Sequence, residues 1–179
     1  MAAHSWTRRC FVVSLTVGVA GGAVAADATA EGRWIELKSI HTGEVVKATL
    51  GGKAGPDSAT LAKLQHVLRD YRVNEEHAMD PGLFEQLSDL ARAAGCEPRY
   101  EVISGYRSPH TNAQLRANGH GVAEHSLHME GRAMDVRLKG CPLATLRDLA
   151  LKAQRGGVGY YERSNFVHLD TGRVRTWTG

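Results

Sequence analysis

Two short segments near the C-terminus, 132–138 and 165–170, constrain the fold of this chain more than any other feature. Apolar and polar residues alternate in both, and successive residues of a β-strand point to opposite faces of a sheet. If the apolar residues face the core, Asp135 in the first segment and His168 in the second face the other way. The sequence therefore predicts two strands that present Asp135 and His168 from the polar face of one sheet.

His128 can join these two side chains. It precedes Asp135 by seven residues, and Gly131, which lies between them, allows the chain to turn back. Two neutral imidazoles and one carboxylate are a usual ligand set for a catalytic zinc ion, which keeps its fourth position for water. Asp170 would lie beside His168 on the same strand face, with Cα atoms roughly 6–7 Å apart. The spacing thus favours a catalytic metal centre.

The same residues also allow other interpretations. His120 and His125 stand close to His128 in the sequence, so a cluster on one loop is a competing metal site. A single histidine is more often a surface residue or a hydrogen-bonded structural one, and Asp135 alone could be a buried acceptor. The alternation of strand residues favours Asp135 and His168 but does not prove that the three side chains meet.

The remaining segments predict an α+β arrangement, in which strands have helices laid against them. Residues 33–50 alternate around His41-Thr-Gly43, which is typical of a β-hairpin. Further strands are expected over 99–104 and 157–162. Helices are expected over 59–72 with Ser58 as the cap, from Asp80-Pro81 to Gly95, over 110–118 and over 143–155.

The first 25 residues have the pattern of an export signal. Arg8 and Arg9 precede a mostly apolar run, 11–19, which is shorter than the roughly 20 residues that a membrane-spanning helix needs. The ending Ala23-Val-Ala25 suits signal peptidase, and the paired arginines suit a twin-arginine signal. We expect cleavage after Ala25 and a periplasmic mature chain without a membrane span. An uncleaved anchor is the alternative.

The charge of the mature chain argues against nucleic-acid binding. The export signal contains two arginines and no acidic residue, so its removal leaves 20 basic residues against 19 acidic ones. No basic run or basic patch with interleaved aromatic residues is present either. We therefore expect no nucleic-acid partner. A monomer is expected, although the sequence does not determine the oligomeric state.

Cysteine content and missing motifs limit the chemistry further. Cys96 and Cys141 remain after loss of the signal, and in an oxidising compartment they can form a disulfide or stay as two thiols. The chain has no Cys-x-x-Cys, so a structural zinc ribbon is not expected. It lacks Gly-x-Ser-x-Gly and His-Glu-x-x-His, which disfavours serine hydrolases and zincin-type proteases.

Four spaced motifs point to a known family. Residues 126–135 meet the pattern Ser-x-His-x-x-Gly-x-Ala-x-Asp in full, 104–108 read Ser-Gly-Tyr-Arg-Ser, 156–160 read Gly-Gly-Val-Gly-Tyr, and 166–172 read Phe-Val-His-Leu-Asp-Thr-Gly. In these motifs, and in their order, the chain resembles the D-Ala-D-Ala metallopeptidases, most closely their murein endopeptidase K (YcbK-like) branch. The resemblance covers about residues 33–177.

The resemblance implies a hedgehog/D-Ala-D-Ala-peptidase-like α+β fold, with a small antiparallel sheet and flanking helices. It also implies that His128, Asp135 and His168 bind Zn²⁺. The chain would then divide into an export signal (1–25), an N-terminal segment with the hairpin (26–57) and a zinc peptidase domain (58–179).

The substrate implied by the resemblance is peptidoglycan, in which the enzyme would cut crosslinks between stem peptides during cell-wall growth or remodelling. The bond cut could join D-Ala to diaminopimelate, or diaminopimelate to diaminopimelate. A D,D-carboxypeptidase that trims uncrosslinked stem peptides would use the same residues. A non-catalytic zinc-binding or wall-binding protein would hold the metal without turnover.

One position departs from the dipeptidase relatives, which have a general-base glutamate three residues before the last zinc-binding histidine. Asn165 occupies that position here, so the base must lie elsewhere. Asp170 is the first choice and Glu162 the second, although Asp170 could instead support the His168 ring through a hydrogen bond. Arg107 is expected to stabilise the oxyanion with its permanent charge, a surface salt bridge being the alternative.

Overall fold

The computed structural model describes residues 32–51, 56–119 and 122–179, and the predicted export signal and His120 lie outside them. The elements are, in chain order, β1 (Trp34–Ser39), β2 (Val45–Thr49), α1 (Ser58–Val67), α2 (Pro81–Ala93), β3 (Arg99–Ser104), α3 (Pro109–Ala117), a 3-10 turn (Leu127–Glu130), β4 (Ala133–Leu138), α4 (Leu143–Ala153), β5 (Gly157–Tyr161), β6 (Phe166–Asp170) and β7 (Arg175–Thr178). The predicted α+β class is confirmed. None of the helices within these ranges combines the length and the apolar character needed to cross a membrane.

The strands form one sheet of seven in the order β2-β1-β3-β4-β6-β5-β7. The sheet is mixed rather than wholly antiparallel, because β1 pairs with β3 and β5 pairs with β7 in parallel. Parallel neighbours need a crossover connection, and the chain between β2 and β3, which includes α1 and α2, supplies one. Strand β7 was not predicted from the sequence, because it is four residues long and only partly buried.

The predicted hairpin is confirmed as β1 and β2, which pair in an antiparallel register with Leu37 opposite Val46. On its other side β1 pairs with β3, so the hairpin belongs to the same sheet as the strands that carry the predicted metal ligands. The division of the mature chain at residue 57 stays a prediction.

The core lies on one face of the sheet. Val136 and Leu169 on the central strands are fully buried in one cluster with Leu64 of α1, Phe84 of α2 and Leu146 of α4. Full burial of such a side chain stabilises the fold by about 1.5–3 kcal/mol. Helices α1, α2 and α4 contribute side chains to this cluster. The opposite face of the central strands carries the polar residues predicted by the alternation, Asp135 and His168.

The start and end of α1 differ from the prediction. Ser58 is the first residue of the helix, and Asp57 is the cap, whose carboxylate accepts a backbone hydrogen bond from the first turn. The helix ends at Val67 rather than at 72, because Asp70 turns inward, is almost fully buried and accepts two hydrogen bonds from Ser108. Helix α2 does open at Asp80-Pro81, as predicted.

Candidate metal centre

His128 reaches the site from the 3-10 turn. The hydroxyl of Ser126 caps this turn, and Gly131 ends it with a φ of 66°. A Cβ atom at Gly131 would lie 2.0 Å from the carbonyl oxygen of Ala78. Only glycine fits both this backbone conformation and this close approach, so the predicted turn at Gly131 is confirmed.

Asp135 and His168 reach the site from neighbouring strands. They are direct partners in the antiparallel register of β4 and β6, and both project from the face opposite the core. Their exposed fractions are 6% and 8%, and that of His128 is 3%. The shared sheet face that the sequence predicted for Asp135 and His168 is confirmed.

The three side chains meet at one point. His168 Nδ1 lies 2.9 Å from Asp135 Oδ1, and His128 Nε2 lies 3.2 Å from His168 Nδ1 and 3.3 Å from Asp135 Oδ1. Among the described residues this is the only group of three His, Cys, Asp or Glu side chains close enough to share an ion. His125 is exposed and is not part of the group, and His120 lies outside the described residues.

The outer nitrogen of each imidazole is fixed by an acceptor. His128 Nδ1 lies 2.7 Å from the carbonyl oxygen of Gly105, and His168 Nε2 lies 3.1 Å from Asp170 Oδ2. Because a carbonyl and a carboxylate can only accept, both nitrogens must carry the proton. In the neutral rings, His128 Nε2 and His168 Nδ1 are then bare lone pairs, and both face the carboxylate of Asp135. Three acceptors that converge in this way could hold a cation.

The pKa values follow from this arrangement. Burial lowers the pKa of His128, and the nearby Asp135 only partly offsets this effect. Burial also acts to lower the pKa of His168, but the adjacent carboxylates of Asp135 and Asp170 favour the protonated ring more strongly, so that the net shift is upward and a bound cation would replace the proton on the inner nitrogen. Burial acts to raise the pKa of Asp135, but the two imidazoles reverse this and keep it ionised. Asp135 therefore remains ionised at neutral pH, as a metal ligand would need to be.

Asp170 has no exposed surface and every side of its carboxylate is occupied. Besides His168, it accepts hydrogen bonds from the backbone N–H groups of Gly157 and Gly172, both at 2.8 Å, and from Arg175 Nη2 at 2.6 Å. Burial acts to raise the pKa of Asp170, but these hydrogen bonds lower it. The carboxylate is a fixed acceptor for the His168 ring.

The Gly-Gly-Val-Gly-Tyr motif is explained by close packing around Asp170 and the C-terminal strand. A Cβ atom at Gly156 would lie 1.8 Å from the carbonyl oxygen of Asp170, and one at Gly157 would lie 2.4 Å from its carboxylate. At Gly159 a Cβ atom would lie 2.7 Å from the Trp177 ring. Side chains at Gly156 and Gly157 would displace Asp170, which supports the His168 ring, and a side chain at Gly159 would displace Trp177.

Arg107 stands beside the metal ligands. Its Nη2 lies 3.9 Å from Asp135 Oδ2 and 3.4 Å from Ser104 Oγ, and its Nη1 lies 3.4 Å from Asn112 Oδ1. Burial lowers its pKa, and Asp135 opposes that shift. Its Nε is buried and has no hydrogen-bonding partner in the described part of the chain. The guanidinium is thus close to the site, and its long contacts leave it free to bind another acceptor.

A cleft of about 610 Å³ opens above the three ligands. Its lining includes Arg107 and most of the segment 122–128, together with residues of β7 and the end of β5. Trp177 donates a hydrogen bond of 2.8 Å to the Tyr161 hydroxyl, and its ring centre is 5.0 Å from that of His168. Sequence reasoning missed this wall together with β7. The only sequence signal of this wall is the aromatic residue Trp177 near the C-terminus.

The other residues named from the sequence lie apart from the three ligands. Glu162 and Asn165 are exposed in the turn between β5 and β6, and neither lines the cleft. Tyr106 belongs to the core, where its hydroxyl donates a 2.7 Å hydrogen bond to Glu75. Cys96 and Cys141 are both present as partly buried free thiols.

A buried His-Asp-His set that could hold a metal ion lies beneath an open cleft, on one face of an α+β sheet, an arrangement typical of metal-dependent hydrolases. A family model described as peptidoglycan L,D-endopeptidase MepK matches residues 27–177, and the chain belongs to this family. The family predicted from the motifs is thereby confirmed, and with it the assignment of the chain as a hydrolase.

Named relatives cover most of the chain. The peptidoglycan L,D-endopeptidase MepK of Escherichia coli K12 is 47% identical over 155 residues, which is 87% of this chain and 85% of the relative. The protein of the same name from Shigella flexneri gives the same figures. A probable peptidoglycan L,D-endopeptidase MepK from Haemophilus influenzae is 42% identical over 152 residues, or 84% of this chain and 82% of the relative.

Proposed function

We propose that this chain is a zinc-dependent peptidoglycan endopeptidase that hydrolyses the amide between two crosslinked diaminopimelate residues. Family membership supports the reaction class and the substrate. The observation that carries the metal part of the proposal is the convergence of three lone-pair donors, His128 Nε2, Asp135 Oδ1 and His168 Nδ1, at one buried point.

The donor set suits zinc. Two imidazole nitrogens and one carboxylate oxygen leave a fourth tetrahedral position for water, as in catalytic zinc sites. When bound, Zn²⁺ supplies Lewis acidity and a water molecule whose pKa falls from 15.7 to about 7. Gly105 and Asp170 contribute by fixing the two imidazole rings, so that the lone pairs are oriented before the metal arrives.

Arg107 is suited to stabilise the oxyanion of the tetrahedral intermediate. Its guanidinium borders the cleft beside Asp135 and makes only long contacts with Ser104 and Asn112. It is charged throughout the working pH range, so it can bind the developing negative charge without taking up a proton. We infer that it contacts the carbonyl oxygen of the bond that is cut.

Asp170 is better suited to support His168 than to accept a proton from water. Its carboxylate already binds His168, Arg175 and two backbone N–H groups, and none of its surface is exposed to the cleft. Glu162, the second candidate for the base, does not line the cleft. We therefore infer that Asp170 is a positioning residue.

The choice of bond follows from stereochemistry. An L,D-endopeptidase cuts an amide whose carbonyl belongs to an L-centre and whose nitrogen belongs to a D-centre. A crosslink between two diaminopimelate residues contains such an amide, whereas a crosslink from D-Ala to diaminopimelate joins two D-centres. Because the family and its relatives are L,D-endopeptidases by name, their similarity to this chain favours the first of the two bonds that the sequence left open.

The location follows from the substrate. Peptidoglycan lies outside the cytoplasm, so we infer that the chain works in the periplasm. The apolar run and the Ala23-Val-Ala25 ending support export, and the pair Arg8-Arg9 supports the twin-arginine route.

Product analysis on defined crosslinks tests the proposal. Purified protein is incubated with two muropeptide dimers, one crosslinked between diaminopimelate residues and one from D-Ala to diaminopimelate, and the products are identified by mass. We expect the first dimer to gain one water and become two monomers, the second to persist, and a chelator to stop the reaction. An uncrosslinked pentapeptide stem is included as a third substrate, and release of free D-Ala from it, with both dimers intact, would instead identify a D,D-carboxypeptidase. Intact substrates throughout would contradict the enzymatic proposal.

A further inference from the structure

The sheet face that carries the metal ligands extends beyond them. Arg137 follows Asp135 by two residues on β4, so its Cα lies roughly 6–7 Å further along the same face. In the sheet register Arg137 is opposite Glu101 of β3, and Glu101 is opposite Lys38 of β1. A row of charged side chains thus runs beside the row that holds the metal ligands.

These side chains line a second groove of about 360 Å³. Its charged lining comprises four basic residues and two acidic ones, which leaves an excess of two positive charges. They are Lys38, Arg99, Arg137, Lys139, Glu36 and Glu101. The groove is therefore suited to an anionic group.

Arg137 is the residue best placed to bind such a group. Its side chain keeps 28% of its surface exposed, and its Nε is 3.1 Å from Glu101 Oε2. This ion pair involves Nε, whereas a second carboxylate can bind the two Nη groups of the same planar guanidinium with two parallel, charge-assisted hydrogen bonds.

An aromatic pair connects the groove to the metal cleft. Phe166 follows Asn165, which lines the groove, and itself lines the cleft. Its ring stacks on that of Tyr161 with centroids 4.5 Å apart. If the antiparallel register of β4 and β6 continues by one pair, Phe166 stands opposite Arg137. An aliphatic chain can cross this apolar surface between the cleft and the groove.

We propose that the groove is a substrate subsite that binds a free carboxylate of diaminopimelate while the amide of the crosslink lies at the metal centre. The subsite rests on the proposed function and adds a substrate contact to it. Diaminopimelate carries two carboxylates separated by a short aliphatic chain, which matches an apolar surface followed by a basic groove. The occupant is thus a wall peptide rather than a protein or a nucleic acid.

Binding of an uncleavable product tests the subsite separately from catalysis. The zinc-loaded protein is titrated by calorimetry with the tripeptide L-alanyl-γ-D-glutamyl-diaminopimelate, and with the same peptide whose diaminopimelate carboxylates are amidated. Arg137→Gln should weaken binding of the carboxylate peptide about 10–100-fold, because the variant loses a hydrogen bond between two charged groups. The amidated peptide should bind the original protein and the variant equally.

Lys152→Gln is the matched control, because Lys152 is exposed on α4 and takes no part in lining the groove. It should leave both affinities unchanged. Arg99→Gln repeats the test on a second groove residue if Arg137→Gln unfolds, and should weaken only the carboxylate peptide. Wild-type affinity for the carboxylate peptide in the folded groove variant would overturn the subsite. Because the calorimetric measurement needs no cleavage, its result tests the subsite even if the protein does not cut the crosslinks.

Discussion

At the scale of single residues, the metal centre depends on where two protons sit. The carbonyl of Gly105 and the carboxylate of Asp170 hold the protons on the outer nitrogens of His128 and His168. The inner nitrogens, His128 Nε2 and His168 Nδ1, face Asp135 and are free to act as metal ligands. Sequence spacing predicted the three ligands, but it could not predict Gly105, because a backbone acceptor has no residue-type signal.

The role of Asp170 is open to a direct test. Asp170→Asn should weaken zinc binding by about 10–100-fold, because the variant loses the charge that orients His168 and binds Arg175. Zinc affinity is measured by competition with a chromogenic chelator, and Glu162→Gln, in the exposed turn, should leave it unchanged. Unaltered zinc affinity with a loss of 10²–10⁴ in kcat would instead assign Asp170 as the general base.

At the scale of secondary structure elements, the register of β4 and β6 places Asp135 directly opposite His168 and so brings these two side chains of the site together. Alternation predicted which side chains share a face, and the structure confirms the pairing of Asp135 with His168. The end of α1 and the strand β7 could not be predicted, because both depend on distant contacts. Asp70 lies beyond the end of α1, where its carboxylate accepts a hydrogen bond from Ser108. Strand β7 belongs to the sheet because it pairs with β5.

The turn at Gly131 offers a test at this scale. Gly131→Ala should destabilise the protein by clearly more than the about 1–2 kcal/mol that a left-handed residue costs, because the added Cβ would lie 2.0 Å from the Ala78 carbonyl oxygen. Gly43→Ala is the control, because Gly43 has a φ of 74° with no atom within 4 Å of the added Cβ. Urea unfolding measures both variants, and equal losses would show that the close approach to Ala78 is unimportant.

At the scale of the whole molecule, one face of the sheet forms the hydrophobic core and the other face forms the predicted site. One face packs the core with α1, α2 and α4, and the other carries the metal ligands and the basic groove. The sequence predicted the α+β class and the face of the ligands, since both follow from local periodicity. It did not predict the mixed strand order or the aromatic wall at Trp177, which arise from pairing between strands far apart in sequence.

Zinc stoichiometry, measured by elemental analysis of the purified protein after dialysis, tests the metal centre most directly. The protein should retain one zinc ion per chain, His168→Ala should retain almost none, and His125→Gln should retain the full amount, because His125 lies outside the cluster of ligands. Full retention by the folded His168→Ala variant, or loss of zinc in His125→Gln alone, would contradict a centre built from His128, Asp135 and His168.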